Sequence, residues 1–236
     1  MNPTHYHIKH IYAILFSILL GFGTIHPLVA QNSSALQIAR VKYRGGGDWY
    51  NDPSAIPNLA EYIKRNTLLN IRTEEAQIAL TDESLFAYPI LFLTGHGRFM
   101  LSDEEARNLR NYCLAGGFLY VDDDYGLDES FRAVIKKVFP EKKLQEIPFS
   151  HDIYHIHFEF PAGLPKIHEH DNNPPQGFGI FDKDRLMIYY TYETNISDGW
   201  ANPEVHNDPP EKREAAFKMG TNIIIYALMQ QSETNP

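Results

Sequence analysis

The sequence predicts a single α/β domain, built as a three-layer α/β/α sandwich with a mainly parallel sheet. Residues 89–94 and 118–121 are almost wholly apolar, which is typical of strands that are covered on both faces. A polar loop with glycine follows each of these runs, and a helical pattern follows each loop. This alternation is the signature of a parallel sheet with helices on both faces.

Three further segments complete the predicted strands. Residues 36–43 alternate apolar and polar side chains as a first strand would. Residues 185–191, RLMIYYT, also read as a strand. A weaker strand is expected within residues 71–80. Residues 141–180 are rich in proline and histidine, and we expect them to be irregular.

Four helices are predicted between and after these strands. Ser102 and Glu105 have the spacing of a capping box, which marks a helix start. Pro140 ends the next helix, because proline cannot continue one. The predicted helices lie around residues 57–63, 102–111, 128–139 and 210–229.

The first thirty residues differ from the rest. Lys9 precedes an apolar run at residues 11–25, and the small residue Ala30 follows before Gln31. This layout is typical of a secretory signal peptide, and the run is shorter than the roughly 20 residues of a membrane span. We therefore expect residues 1–30 to be a signal peptide and residues 31–236 to be one exported domain, periplasmic or extracellular. An uncleaved N-terminal anchor is the alternative.

The composition limits the classes of partner. The formal net charge is −9, and it becomes more negative when Lys9 is removed with the leader. Such a chain is unsuited to nucleic acid or to an anionic membrane. A small polar ligand, a cation or an envelope protein is the expected partner.

Cys113 is the only cysteine, so an internal disulfide is excluded. On a helix it shares a face with Ala106 and Leu109, where a small buried residue is expected. We interpret it as a core residue rather than as a nucleophile.

Three segments carry a resemblance to a known family. They are PILFLTGHGRF at 89–99, SDEEARNLRNYCLAGGFLYVDDDYG at 102–126 and GTNIIIYAL at 220–228. Together they resemble the bacterial family known as domain of unknown function 4159, over about residues 37–228. That family implies no established activity.

More distantly, the chain is similar to the class I glutamine-amidotransferase-like (flavodoxin-like) fold. In that fold, a nucleophilic cysteine occupies the turn after a central strand. The corresponding turn here, residues 122–126, has no cysteine. The resemblance therefore implies the fold without amidotransferase chemistry.

Polar loops at the carboxyl ends of the strands are the predicted site, because ligands of open parallel sheets bind there. The loops are residues 45–49, 95–98 and 122–124. The expected catalytic residues are His96, Asp123 and Asp124, since histidine and carboxylate side chains can act as general bases.

A divalent metal ion is the cofactor that these residue types suit, because clustered carboxylates repel one another unless a cation or a proton intervenes. We expect Asp122, Asp124, His151 and His155 as ligands. In the alternative, Asp122 points into the site while the other aspartates cap the next helix or face solvent. His168 and His170 are expected to be partly exposed loop residues.

Glycine, aromatic and basic residues of the same loops are expected to bind a ligand. Two functions remain open: a ligand- or partner-binding envelope module that lacks a nucleophile, and a metal-assisted hydrolase. The predicted ligand-binding residues are Gly46, Trp49, Gly95, Gly97, Arg98, Tyr125 and Trp200.

Overall fold

Strands and helices alternate along most of the chain in the computed structural model, which describes residues 35–234. The predicted leader lies outside these residues. In chain order the elements are β1 (Ile38–Lys42), α1 (Ala55–Asn66), β2 (Ala76–Ala79), β3 (Ile90–Leu93), α2 (Asp103–Leu114), β4 (Phe118–Asp122), α3 (Asp128–Val138), β5 (Gln145–Glu146), β6 (Gln176–Asp182), β7 (Arg185–Tyr192), α4 (Pro203–His206) and α5 (Pro210–Thr234).

The seven strands form one sheet in the order β2-β1-β3-β4-β7-β6-β5. Strands β1 to β4 and β7 are parallel, and β5 and β6 extend the sheet as antiparallel strands at one edge. The prediction of a mainly parallel sheet is confirmed.

Helices cover both faces of the sheet. Alternate side chains of β4 point to opposite faces, so Tyr120 packs in the same core as α1 and α5, while Val121 packs with α2 and α3. This arrangement is a three-layer α/β sandwich, and it explains why the central strands are apolar without alternation.

Local signals located several elements correctly. Ser102 accepts a hydrogen bond from the backbone N–H of Glu105, whose side chain accepts one from the backbone of Ser102, so the capping box is present. Cys113 is fully buried on the inner face of α2, as its spacing predicts. Among residues 35–234, no helix combines the length and apolar character needed to cross a membrane.

The expectation of irregular structure across residues 141–180 is wrong for β6. Its pattern is obscured by Gly177 and Gly179, which have no side chain to pack. A Cβ atom at Gly177 would overlap the hydroxyl of Tyr154, and one at Gly179 would overlap Leu186. Close packing against neighbouring side chains therefore selects glycine in a strand where β-branched residues are usual.

The topology reverses between β1 and β3. From β1 the chain passes to β2 on one side, and it then returns to β3 on the other side. Ligands of such sheets bind outside the carboxyl ends of the strands at this reversal. Four loops lie at this edge, after β1, β3, β4 and β7.

Candidate functional site

The loops after β1, β3 and β4 meet, as the sequence predicts. The backbone N–H of His96 donates to Oδ1 of Asp48 at 2.6 Å. His96 also forms an isolated parallel bridge with Tyr125, in which Gly97 donates its N–H to the Tyr125 carbonyl at 3.1 Å. These contacts fix the three loops to one another.

Gly95 makes this approach of the loops feasible. Its φ of +139° is rare for residues with a side chain. A Cβ atom there would overlap the hydroxyl of Tyr43 and lie 3.1 Å from Oδ1 of Asp48. The glycine therefore leaves room for Asp48 to reach His96.

His96 stands between two carboxylates at the exposed side of the site. Its Nδ1 lies 3.1 Å from Oδ2 of Asp48 and 3.2 Å from Oδ2 of Asp124. The imidazole is 51% exposed, whereas the Asp124 side chain is 2% exposed. His96 thus links solvent to a buried acid.

Asp122 and Asp123 have structural hydrogen bonds. Asp122 accepts from Thr191 Oγ1 at 2.5 Å and from the backbone N–H of Ser197 at 2.6 Å, and burial raises its pKa to about 6. Asp123 accepts from the N–H of Leu127 at 2.9 Å, just before α3. Of the two arrangements considered from the sequence, the one in which a single aspartate points into the site is closer to the structure. That aspartate is Asp124, however, and not Asp122.

Asp124 lies at the centre of a polar cluster. Asn51 donates to Oδ2 of Asp124, and Asn195 donates to its Oδ1 at 3.0 Å. Burial raises the pKa of Asp124 to about 9, and the nearby negative charge of Asp198 adds to the rise. An adjacent cation would favour its ionised form.

The loop after β7 supplies Asp198, which binds His168. Nδ1 of His168 lies 2.7 Å from Oδ2 of Asp198, and its Nε2 lies 2.8 Å from Oδ1 of Asp208. The hydrogen bond to Asp198 raises the pKa of His168, and the nearby charge of Asp208 adds to the rise. His168 is a partly exposed loop residue, as expected, but its two hydrogen bonds to carboxylates were not anticipated.

His206 approaches Asp198 from another direction. Its Nε2 lies 2.9 Å from Oδ2 of Asp52, and its Nδ1 lies 3.9 Å from Oδ2 of Asp198. The hydrogen bond to Asp52 raises the pKa of His206. Burial alone would raise the pKa of Asp198, but the hydrogen bond from His168 and the charge of His206 outweigh it and lower that pKa.

Two sets of three side chains in this cluster could hold a metal ion. One is His168, Asp198 and His206, and the other is Asp52, Asp124 and Asp198. The ligand atoms of each set lie within 4.8 Å of one another. Asp198 belongs to both, and its Oδ1 is buried without a hydrogen-bond partner among the described residues.

His151 and His155 do not join this cluster. The ring of His151 lies 5.3 Å from that of Tyr226 and 6.2 Å from that of Phe181. Phe181 pairs with Leu186 at the start of β7, which is the end of the strand opposite to the cluster. Nδ1 of His155 is 2.6 Å from Glu159. The structure therefore does not bring these two histidines to Asp124.

The aromatic residues predicted to bind a ligand have different surroundings. Trp200 is 1% exposed, and its ring packs on Phe92, so it belongs to the core. Tyr125 is 49% exposed and stacks on His170 with 4.5 Å between ring centroids. Trp49 is half-buried and packs edge-on against its neighbour Tyr50.

The remaining predicted ligand-binding residues border the site. Gly46 has a φ of +96° with open space around its Cα, and Gly97 has a φ of +78°. Arg98 is exposed, and its carbonyl accepts the N–H of Gly47 at 3.0 Å. These residues shape the loops around Asp48 and His96.

Sequence reasoning missed the loop after β7 and part of the loop after β1. The available signal was the position of polar residues beyond β7, since its carboxyl end lies at the same edge as those of β3 and β4. Asp48 lies in the predicted loop of residues 45–49 without being singled out. The residues missed altogether are Asn51, Asp52, Asn195, Asp198, His206 and Asp208.

Fold and site together define an α/β sandwich protein with a buried aspartate–histidine cluster at the carboxyl edge of its sheet. The chain belongs to the family described as Domain of unknown function (DUF4159), whose model matches residues 37–228. No curated protein matches the chain.

Proposed function

We propose that this protein is an exported, divalent-metal-dependent hydrolase. The observation that carries the proposal is the convergence of His168, His206 and Asp198, with the second nitrogen of each imidazole bonded to a further carboxylate. The N-terminal leader layout supports export, followed by cleavage near Ala30–Gln31.

The hydrogen bonds around the two histidines are those of metal ligands. Metal-bound histidines commonly donate their other ring N–H to a carboxylate, which fixes the tautomer and orients the ring. Asp208 does this for His168, and Asp52 does it for His206. The Nδ1 atoms then face Asp198, and a site of two imidazoles and a carboxylate suits Zn²⁺ and related transition metals.

Charge gives independent support for a cation. Histidine and asparagine side chains form hydrogen bonds to the carboxylates of Asp48, Asp52, Asp124, Asp198 and Asp208. In residues 35–234, neither a lysine nor an arginine forms an ion pair with these five carboxylates. Buried carboxylates without such partners are stabilised by a bound metal ion.

Hydrolysis follows from the position of His96. A bound divalent ion lowers the pKa of water, and a nearby base accepts its proton. Asp48 holds Nδ1 of His96, so Nε2 of the exposed ring is directed away from this contact and can accept that proton. A metal ion held in the cluster would supply the nucleophilic hydroxide for attack on an ester or amide, and protonated His96 would return the proton to the leaving group.

Space for a substrate lies beside the cluster. A cavity of about 330 Å³ has a wall formed by Tyr125, His170, Tyr192 and Asn195, and its other lining residues are mostly acidic. Asn195 also donates to Asp124, so this cavity adjoins the proposed metal site. The stacked rings of Tyr125 and His170 offer an apolar face to a small polar ligand.

The class I glutamine-amidotransferase-like fold is part of this proposal. The parallel sheet, covered by helices on both faces, supports it. The turn after β4 carries Asp123, Asp124 and Tyr125 in place of a cysteine nucleophile. Catalysis by a metal-bound water requires no such nucleophile.

Elemental analysis of the exported protein, purified without a His tag, tests the metal site. We expect near-stoichiometric metal in the wild type and loss of at least tenfold in affinity in His168→Gln. His155→Gln is the matched control, because the His155 ring hydrogen-bonds to Glu159 and to the Phe149 carbonyl, away from the cluster. No metal in the wild type, also after incubation with Zn²⁺ or Mn²⁺, would overturn the proposal.

Turnover is tested with p-nitrophenyl acetate and bis(p-nitrophenyl) phosphate as probes. His96→Gln is expected to lower kcat by about 10²–10⁴-fold while it retains the metal, which is the usual contribution of a general base. Equal turnover in the variant would exclude His96 as that base.

A metal-containing binding module is the second candidate. The open cavity at Tyr125 and His170 favours it, because a metal beside such a cavity can hold a ligand or a protein partner without chemistry. Stoichiometric metal, no turnover of either probe and co-purification of an envelope protein would support this function over hydrolysis.

A further inference from the structure

We propose that the cluster holds two divalent ions, with Asp198 as the bridge and with Asp52 and Asp124 as ligands of the second ion. This inference rests on the proposed function, which requires only the ion at His168 and His206. It adds a second metal site made mainly of oxygen ligands.

The two oxygens of Asp198 face different environments. Oδ2 lies 2.7 Å from Nδ1 of His168 and 3.9 Å from Nδ1 of His206. Oδ1 has no hydrogen-bond partner among the described residues, and it is shielded from solvent because Asp198 is only 3% exposed. The Asp124 carboxyl lies within hydrogen-bonding reach of Asp198, and two buried carboxyl groups so close repel each other unless a proton or a cation lies between them. A bridging carboxylate uses one oxygen for each ion, which matches this asymmetry.

Asp52 and Asp124 complete a second set of ligands around Asp198. One oxygen from each of the three carboxylates lies within 4.8 Å of the others. Asp52 is able to orient His206 with one oxygen and contact an ion with the other. Three carboxylates suit a hard divalent ion such as Mn²⁺ or Mg²⁺.

Two asparagines border the second set and have unused acceptors. Oδ1 of Asn51 and Oδ1 of Asn195 are buried without a hydrogen-bond partner in residues 35–234, while their Nδ2 atoms donate to Asp124. An amide presents its oxygen in place of its nitrogen after a half turn. Both side chains are thus able to act as oxygen ligands when an ion replaces the hydrogen bonds to Asp124.

The position of the second ion explains the contact of His96 with Asp124. Nδ1 of His96 lies 3.2 Å from Oδ2 of Asp124, so the His96 ring contacts a residue of the second set and none of the first. Water shared by two ions is a strong nucleophile, and paired metal sites stabilise both the attacking and the leaving oxygen. The proposed substrates are accordingly esters of phosphoric or carboxylic acids.

The test is a titration of metal-free protein with Mn²⁺, monitored by calorimetry. Elemental analysis and electron paramagnetic resonance of the loaded protein then give the number of ions and their spin coupling. We expect two equivalents and a spin-coupled signal in the wild type. Asp124→Asn is expected to bind one equivalent with an uncoupled signal. Asp184→Asn is the control, since Asp184 is an exposed carboxylate in the turn between β6 and β7.

The outcomes separate this inference from the proposed function. One equivalent in both the wild type and Asp124→Asn would overturn the second site and leave the first intact. Two equivalents in Asp124→Asn and in Asp52→Asn would overturn the assignment of these ligands. No binding in the wild type would overturn both proposals. Asp52→Asn also serves if Asp124→Asn does not fold, as judged by circular dichroism.

Discussion

Oδ1 of Asp208 lies 2.8 Å from Nε2 of His168, whose Nδ1 faces Asp198. Asp208 therefore contacts the ring on the side that a metal ion would not occupy. Asp208 would thus orient His168 without binding the ion itself, so its contribution can be tested while all proposed metal ligands remain in place.

Substitution of Asp208 by Asn is expected to weaken metal binding by about 10–100-fold, the usual effect of losing the carboxylate partner of a ligating histidine. The dissociation constant is measured by competition with a chelator. Glu169→Gln is the control, because Glu169 is exposed and forms an ion pair with Lys166 rather than with the histidines of the cluster. An unchanged affinity in the Asp208 variant would show that His168 needs no such orientation.

Alanine at Gly95 is expected to destabilise the protein more than alanine at Gly46. Both glycines have positive φ, so each substitution carries a backbone strain of about 1–2 kcal/mol. Only at Gly95 does the added Cβ overlap Tyr43 and crowd Asp48, whereas at Gly46 nothing lies within 4 Å.

Overpacking adds about 1–3 kcal/mol at Gly95, so the free energies of unfolding of the two variants should differ by that amount. Urea denaturation measures both. Equal losses of stability would mean that the loop after β1 relaxes freely away from Gly95.

Cys113 is expected to be unreactive in the folded protein. Burial raises the pKa of its thiol to about 12, so almost no thiolate is present at pH 8. Ellman's reagent should react within seconds in guanidinium chloride and negligibly in native buffer. Rapid labelling of the native protein would contradict the burial of Cys113 in α2, and metal content should be unchanged in Cys113→Ser.

Substitution of Asp122 by Ala is expected to lower the free energy of unfolding by about 2–3 kcal/mol, because the buried N–H of Ser197 loses its acceptor. Ser197 precedes Asp198, so metal affinity should fall as well. Asp171→Ala, on the surface, should change stability by no more than about 0.5 kcal/mol. Thermal unfolding measures the stability of both variants. Equal melting temperatures for Asp122→Ala and Asp171→Ala would refute the structural role of Asp122.

Much of the fold follows from local patterns. The apolar runs at β3 and β4 and the capping box of α2 depend on residues close in sequence, so they are visible before any tertiary contact is known. β6 was missed because its glycines are selected by contacts with Tyr154 and Leu186, which lie elsewhere in the sequence. Patterns of propensity do not include such contacts.

The site was predicted in part for the same reason. Asp124 and His96 follow buried strands directly, and the rule for the carboxyl ends of parallel strands places them together. Residue type and spacing suggest His151 and His155 as ligands, but His151 packs against Phe181 of β6 and Tyr226 of α5 instead. Residue type without a position in the sheet does not locate a ligand.

The sequence by itself determined the layers of the sandwich, the burial of Cys113 and the position of His96 and Asp124 in loops at one edge of the sheet. Only the tertiary structure decided that Asp198 joins His168 to His206, and that Asp52 reaches His206 from 154 residues away. Such pairs depend on the lateral order of β1, β4 and β7 in the sheet. That order is set by long-range packing, which leaves no periodic trace in the sequence.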